Sequence, residues 1–128
     1  MEQKIENKLA TAILDQAFKV HTELGPGLLE SVYEHCLAYE LTQAGYVVKT
    51  QVPVPMHYKE VKFEAGFRID LLVEDKVLVE IKSVENLAPV HFAQTLTYVK
   101  LKDVKLGLLI NFNTAHLKDG IHRIVNNL

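Results

Sequence analysis

Apolar residues recur at helical spacing through Ile5, Leu9, Ile13, Ala17 and Val20, with charges between them, and predict an amphipathic first helix. Gly25-Pro26-Gly27 stops it, because glycine supplies a left-handed cap and proline cannot continue the hydrogen-bond ladder. A second helix is expected from about Leu28 to Ala44, with Leu29, Val32, Cys36, Leu37 and Leu41 as its inner stripe and Gly45 closing it. The pattern then changes. Tyr46 to Tyr58 is rich in valine but holds Pro53 and Pro55, which suits an irregular or edge strand. Lys59-Glu60 reads as a turn, Val61 to Val73 as a second strand and Val77 to Ser83 as a third. Pro89 sits where a first helical turn tolerates it, and that helix runs to about Lys102 with Phe92, Leu96 and Val99 on its apolar side. Lys105 to Phe112 has the character of a buried strand, and Gly120 to Val125 that of a short terminal one. The order α-α-β-β-β-α-β, with that terminal strand in addition, predicts a single α/β domain over residues 1–128. Its β-α-β step favours a parallel pairing within one mixed sheet flanked by helices.

The strands around Glu74-Asp75-Lys76 carry the sharpest inference. A two-residue turn would put Asp70 and Glu80 on opposite faces. A three-residue loop instead opposes Val73 with Val77, Leu71 with Val79 and Ile69 with Ile81, making one face wholly apolar. Such a loop needs a left-handed or bulged residue, for which Asp75 or Lys76 must serve. The other face then carries Leu72 with Leu78, Asp70 with Glu80, and Arg68 with Lys82. Like charges set opposite each other are unfavourable, and a divalent cation held by hard oxygen ligands, Mg²⁺ or Mn²⁺, would compensate them. The competing reading is a solvent-facing strand pair in which Arg68 and Lys82 merely neutralise the two acids.

Composition narrows the class without naming the chemistry. The 128 residues are 48% hydrophobic, enough for one core and short for two. The formal net charge of −2 gives no basic signature for nucleic acid. It is unevenly spread: residues 1–48 hold three lysines against seven acids, and residues 49–128 eleven basic residues against nine acids. A single cysteine, Cys36, excludes an internal disulfide and suits a reducing compartment. With no apolar stretch of membrane-spanning length and no secretory pattern after Met1, a soluble cytoplasmic domain without a membrane partner is expected. The six histidines show no zinc spacing, and no phosphate-binding loop, dinucleotide fingerprint or nucleophile elbow is present.

Asp70…Glu80-Ile81-Lys82 resembles the Asp…(Asp/Glu)-X-Lys signature of the PD-(D/E)XK nucleases, with Ile69 where the name has proline. Gln94 and Tyr98 resemble the Gln-X-X-X-Tyr motif of RecB-like members. Gly27-Leu28-Leu29-Glu30-Ser31-Val32-Tyr33 is similar to the element naming the GxxExxY family, as are the flanking Leu24-Gly25-Pro26-Gly27 and Tyr39-Glu40-Leu41.

The resemblance implies a restriction-endonuclease-like three-layer fold and a Mg²⁺- or Mn²⁺-dependent nuclease acting on DNA or RNA. It implies that Asp70 and Glu80 bind the ion, with the Ile81 backbone carbonyl as a third ligand and Glu30 as a helix-borne acid aimed at it. Lys82 would hold or deprotonate the attacking water, and Gln94 and Tyr98 would orient the water or a phosphate. Each residue also has a plainer role open to it. Glu30 gains from the helix dipole at its position, Tyr33 and Tyr98 suit core packing, Gly27 suits backbone geometry, Cys36 suits a buried inert thiol, and His91 only shares the Gln94–Tyr98 face. The alternative function is an interaction module that keeps the fold without turnover. The lack of a strong basic surface leaves a place for a partner protein or second copy to complete the groove.

Overall fold

The computed structural model describes residues 3–63 and 67–128. Two helices come first, α1 (Ile5–Leu24) and α2 (Glu30–Gln43). The strands β1 (Val48–Pro53), β2 (Met56–Tyr58), β3 (Val61–Phe63), β4 (Arg68–Val73) and β5 (Val77–Lys82) follow. The chain closes with α3 (Pro89–Lys102), β6 (Leu106–Asn111), a 3₁₀ turn at Leu117–Gly120 and β7 (Ile121–Val125).

Five strands form one mixed sheet in the order β1-β4-β5-β6-β7, and β2 and β3 form a separate hairpin. β5 and β6 run parallel across the α3 crossover, as the β-α-β step requires, and the other neighbours are antiparallel. One face of the sheet (Leu71, Val73, Val77, Val79, Ile81, Leu106, Leu108, Ile110) packs on α1 and α2 through Ile13, Ala17, Tyr33, Leu37 and Leu41. The other face packs on α3 through Leu72, Leu78, Tyr98 and Val99. The result is a three-layer α/β arrangement of the restriction-endonuclease-like kind.

Several expectations shift in detail. The stretch read as one strand from Tyr46 to Tyr58 breaks at Pro53 and Pro55 into the edge strand β1 and the hairpin strand β2. The stretch from Val61 to Val73 likewise yields β3 and β4, and its residues 64–66 lie outside the described residues. The inner line of α2 is Tyr33, Leu37 and Leu41 with Glu34 beside them; Val32 and Cys36 are only half-buried and Leu29 is exposed. That rotation follows from Tyr33, whose ring stacks on Phe112 with centroids 4.6 Å apart. On α3 the buried residues are Thr95, Tyr98 and Val99, with Phe92 and Leu96 at the margin.

The loop register holds: Val73 opposes Val77, Leu72 opposes Leu78 and Leu71 opposes Val79. Both Glu74 and Asp75 take the left-handed conformation, at φ 53 and 55, and Lys49 holds Asp75 from the neighbouring strand at 2.8 Å.

Candidate active site

The β4–β5 ladder stops at Leu71–Val79. The next residue toward the start of β4 is Asp70, and the two strands open there. Its neighbour across the other ladder, Gln51 of β1, adopts φ 50 and interrupts the pairing between Thr50–Leu71 and Val52–Ile69. Beyond this step Ile69 packs with Leu72, Leu78 and Tyr98 on the α3 side. The expected Ile69–Ile81 pairing on the α1–α2 face is therefore corrected, because the sheet turns over where Gln51 and Asp70 leave the ladder.

The opening is bridged by a side chain. Asp70 Oδ2 accepts the N–H of Ile81 at 2.8 Å, which satisfies a donor that the ladder no longer reaches. Lys82 turns its carbonyl toward β6, where it accepts the N–H of Phe112 at 2.9 Å. By strand alternation the Ile81 carbonyl is directed to the β4 side, where Asp70 stands.

Glu80 is buried on the α3 side of β5, only 4% exposed, and its Oε1 has no hydrogen-bond partner. Burial chiefly, and the facing Asp70 next, push its carboxyl up to about 9, while Lys82 pulls weakly the other way. A buried carboxyl facing a second acid with an unsatisfied oxygen is poised for a cation. Lys82 lies on the same strand face, two residues on and half-buried.

A third acid enters from α2. Glu34 is buried, and its Oε1 accepts a hydrogen from the Gln51 amide at 2.7 Å; the same nitrogen reaches Asp70 Oδ1 at 3.3 Å. Burial first and Asp70 second raise the Glu34 carboxyl above its ordinary range. The Gln51 NH₂ group thus lies between two carboxylates, with its donor hydrogens turned to both. Sequence reading singled out neither residue. Glu34 stands one helical turn after Glu30, and that spacing was the available signal; nothing in the sequence marks a left-handed Gln51.

Glu30 itself docks elsewhere, its Oε2 accepting the N–H of Ser83 at 3.1 Å, while Ser83 Oγ donates to the Leu28 carbonyl at 2.6 Å. It ties the first turn of α2 to the chain just past Lys82. Tyr33 packs in the core and fixes the preceding loop: its hydroxyl donates to the Gly25 carbonyl at 2.6 Å and accepts the N–H of Leu28 at 3.1 Å. Together with Gly27 at φ 96, it shapes the loop that sets Glu30 in place.

From α3, Gln94 donates to the Tyr98 hydroxyl at 3.2 Å. Burial and then the nearby Glu80 hold the Tyr98 phenol above its ordinary value, which puts it in the neighbourhood of the acid pair. Gln94 is exposed beside it. His91 instead closes the start of α3, its Nδ1 accepting the N–H of Ala88 at 3.0 Å. Buried Asn111 fixes the chain after β5, accepting from Val84 N–H at 3.1 Å and donating to the Val84 carbonyl at 2.9 Å.

Asp70, Glu80, Lys82 and Tyr98 therefore converge, with Glu34 joined through Gln51, and Glu30 stands at the rim. Among the described residues no three His, Cys, Asp or Glu side chains form a ready-made cage for a metal ion. The orphaned Glu80 oxygen, the Asp70 carboxylate and the Ile81 carbonyl are nonetheless all hard oxygen donors, and this donor set suits Mg²⁺ or Mn²⁺. Among the described residues, no helix is long and apolar enough to cross a membrane.

In comparison with known proteins, the model of a family described as the PD-(D/E)XK nuclease superfamily matches residues 7–124. No curated protein and no solved structure gives a significant match.

Proposed function

The chain belongs to the PD-(D/E)XK nuclease superfamily, and from that membership we propose that it is a metal-dependent phosphodiesterase cleaving nucleic acid. The observation that carries this reading is Glu80, a buried carboxyl with an unsatisfied oxygen facing Asp70 across opened strands. Asp70, Glu80 and the Ile81 carbonyl would hold Mg²⁺ or Mn²⁺, with Glu34 or Glu30 as the acid supplied by the helix. A bound divalent ion lowers the pKa of a water and polarises a phosphoryl oxygen.

The protein's own groups supply the rest. Lys82 offers an ammonium beside Glu80 to orient the attacking water and steady charge gathering on phosphorus. Tyr98 and Gln94 present a hydroxyl and an amide to a phosphate oxygen from the α3 side. Tyr33, Gly27 and Glu30 keep the α2 entry docked on the end of β5, which supports placement of the chain within the GxxExxY group.

The test is a cleavage screen with Mn²⁺ on single-stranded, double-stranded and branched DNA and RNA. Wild type should cut at least one substrate and Lys82→Ala should lose that activity. Equal background from both proteins would refute turnover and favour the interaction-module reading.

A further inference from the structure

The β2–β3 hairpin is set apart from the five-stranded sheet and carries an unusual surface for so short an element. Met56 opposes Phe63, Tyr58 opposes Val61 and His57 opposes Lys62. Alternation therefore gathers Met56, Tyr58, Val61 and Phe63 on one face. Tyr58, Val61 and Phe63 are 61%, 53% and 42% exposed. At the turn, the Lys59 ammonium lies 5.4 Å from the centre of the Tyr58 ring, a cation–π contact that keeps both groups at the tip.

The hairpin's position gives this surface a direction. β1 and β4 run on together past Asp70, pairing Val52 with Ile69 and Pro53 with Arg68, and then Val54 N–H donates to the Phe67 carbonyl at 2.8 Å. The hairpin continues from that arm. Because β4 is antiparallel to β5, the arm leaves the sheet at the same end as Lys82. At roughly 3.3 Å per residue, Phe67 lies within about 10 Å of Asp70. Phe67 also lines an open cleft of about 320 Å³ with Val90, Gln94, Thr97 and Tyr98. Acid pair, Tyr98–Gln94 and cleft thus lie at the end of the sheet from which the β1–β4 arm leads to the hairpin.

We propose that the hairpin of residues 56–63 is a gripping arm for a single strand of nucleic acid. Bases stack on Tyr58 and Phe63, Lys59 meets the phosphate backbone, and the cleft at Phe67 and Tyr98 leads the strand to the reactive acids. Exposed aromatic rings joined to a cation match the two chemistries a single strand presents, π-faces and phosphates. A second copy of the chain would use the same apolar face, and sedimentation of the hairpin variant separates that occupant from a strand. This inference rests on the nuclease reading for the direction of the path, although the binding surface is tested apart from cleavage.

The test is fluorescence anisotropy of labelled oligothymidylate and oligouridylate with EDTA present, so that binding is read without cutting. Wild type should bind at least one strand. Tyr58→Ala/Phe63→Ala should weaken binding roughly tenfold or more, at an unchanged melting temperature. Lys59→Ala should reduce the slope of log affinity against log salt by about one. Unaltered binding by Tyr58→Ala/Phe63→Ala, or no binding by wild type, overturns the arm. A wild-type dimer that the same double variant converts to monomers in sedimentation, with strand affinity unaffected, also overturns it in favour of self-association. Failure of the cleavage screen with binding lost in the hairpin variants would instead sink the nuclease reading and leave the arm.

Discussion

Asp70 and Ile81 are joined by a side-chain-to-backbone hydrogen bond of 2.8 Å at the step where the β4–β5 ladder ends. The carboxylate does the work of a strand carbonyl on one side and faces Glu80 and Gln51 on the other. A residue with both tasks couples the stability of the opened strands to the charge of the site.

Asp70→Ala and Asp70→Asn should therefore separate the two tasks. The alanine leaves a buried Ile81 N–H without an acceptor, at a cost of about 1–3 kcal/mol. The asparagine keeps an acceptor and removes a charge facing Glu80, so its stability should match or exceed wild type. Urea denaturation of the metal-free proteins measures both, and equal destabilisation by the two variants would contradict the bridging role.

Glu80 predicts a pH dependence in the metal-free protein. Its carboxyl titrates near 9 when folded against an ordinary 4.5. Between those values the folded form keeps a proton that the unfolded chain has released, so stability falls as pH rises, by up to about 1.4 kcal/mol per pH unit. Below 4.5 both forms are protonated and above about 9 both are ionised, so the slope vanishes at each end. Glu80→Gln should flatten most of the fall, leaving a shallower remainder from Glu34, whose shift has the same sign. Thermal melts across that range check this; a variant as pH-dependent as wild type would contradict it.

Gly107 sets how closely α3 approaches the sheet. A Cβ there would lie 2.7 Å from Val99 Cγ2, 3.1 Å from Leu78 Cδ1 and 3.3 Å from Thr95 Cγ2. Gly107→Ala should destabilise by about 1–3 kcal/mol and lower cleavage further by lifting Tyr98 and Gln94 away from Glu80. At Gly120 the obstacle is the Asn111 backbone carbonyl rather than movable methyl groups. Gly120→Ala should therefore be the more destabilising of the two in the same denaturation experiment.

What the sequence disclosed follows from where hydrophobic alternation is strict. Leu71, Val73, Val77 and Val79 leave a single register that buries them, so the loop length, and with it the closeness of Asp70 and Glu80, was readable. The same alternation misled at Ile69, which is equally apolar on either face and turns to the α3 side past an interruption that Gln51 does not announce. On α2, a glutamate under the sheet looks like any surface glutamate in sequence. Only the Tyr33–Phe112 stack shows that Glu34, rather than Leu29 or Val32, turns inward. The turn of the hairpin at Lys59-Glu60 was readable, but its separation from the sheet was hidden, because 46–58 and 61–73 each read as one strand while the break depends on Pro53 and Pro55 interrupting the ladder.

Cation binding at Asp70 and Glu80 is tested most directly by isothermal titration of Mn²⁺ into wild type, Asp70→Asn and Glu80→Gln. Wild type should bind the ion with proton release that grows as pH falls from 9 toward 7, because Glu80 must ionise to ligate it. Both variants should lose that heat while remaining folded. Mn²⁺ binding by either variant with wild-type affinity, or no binding by wild type, would contradict the assignment of the two acids as its ligands.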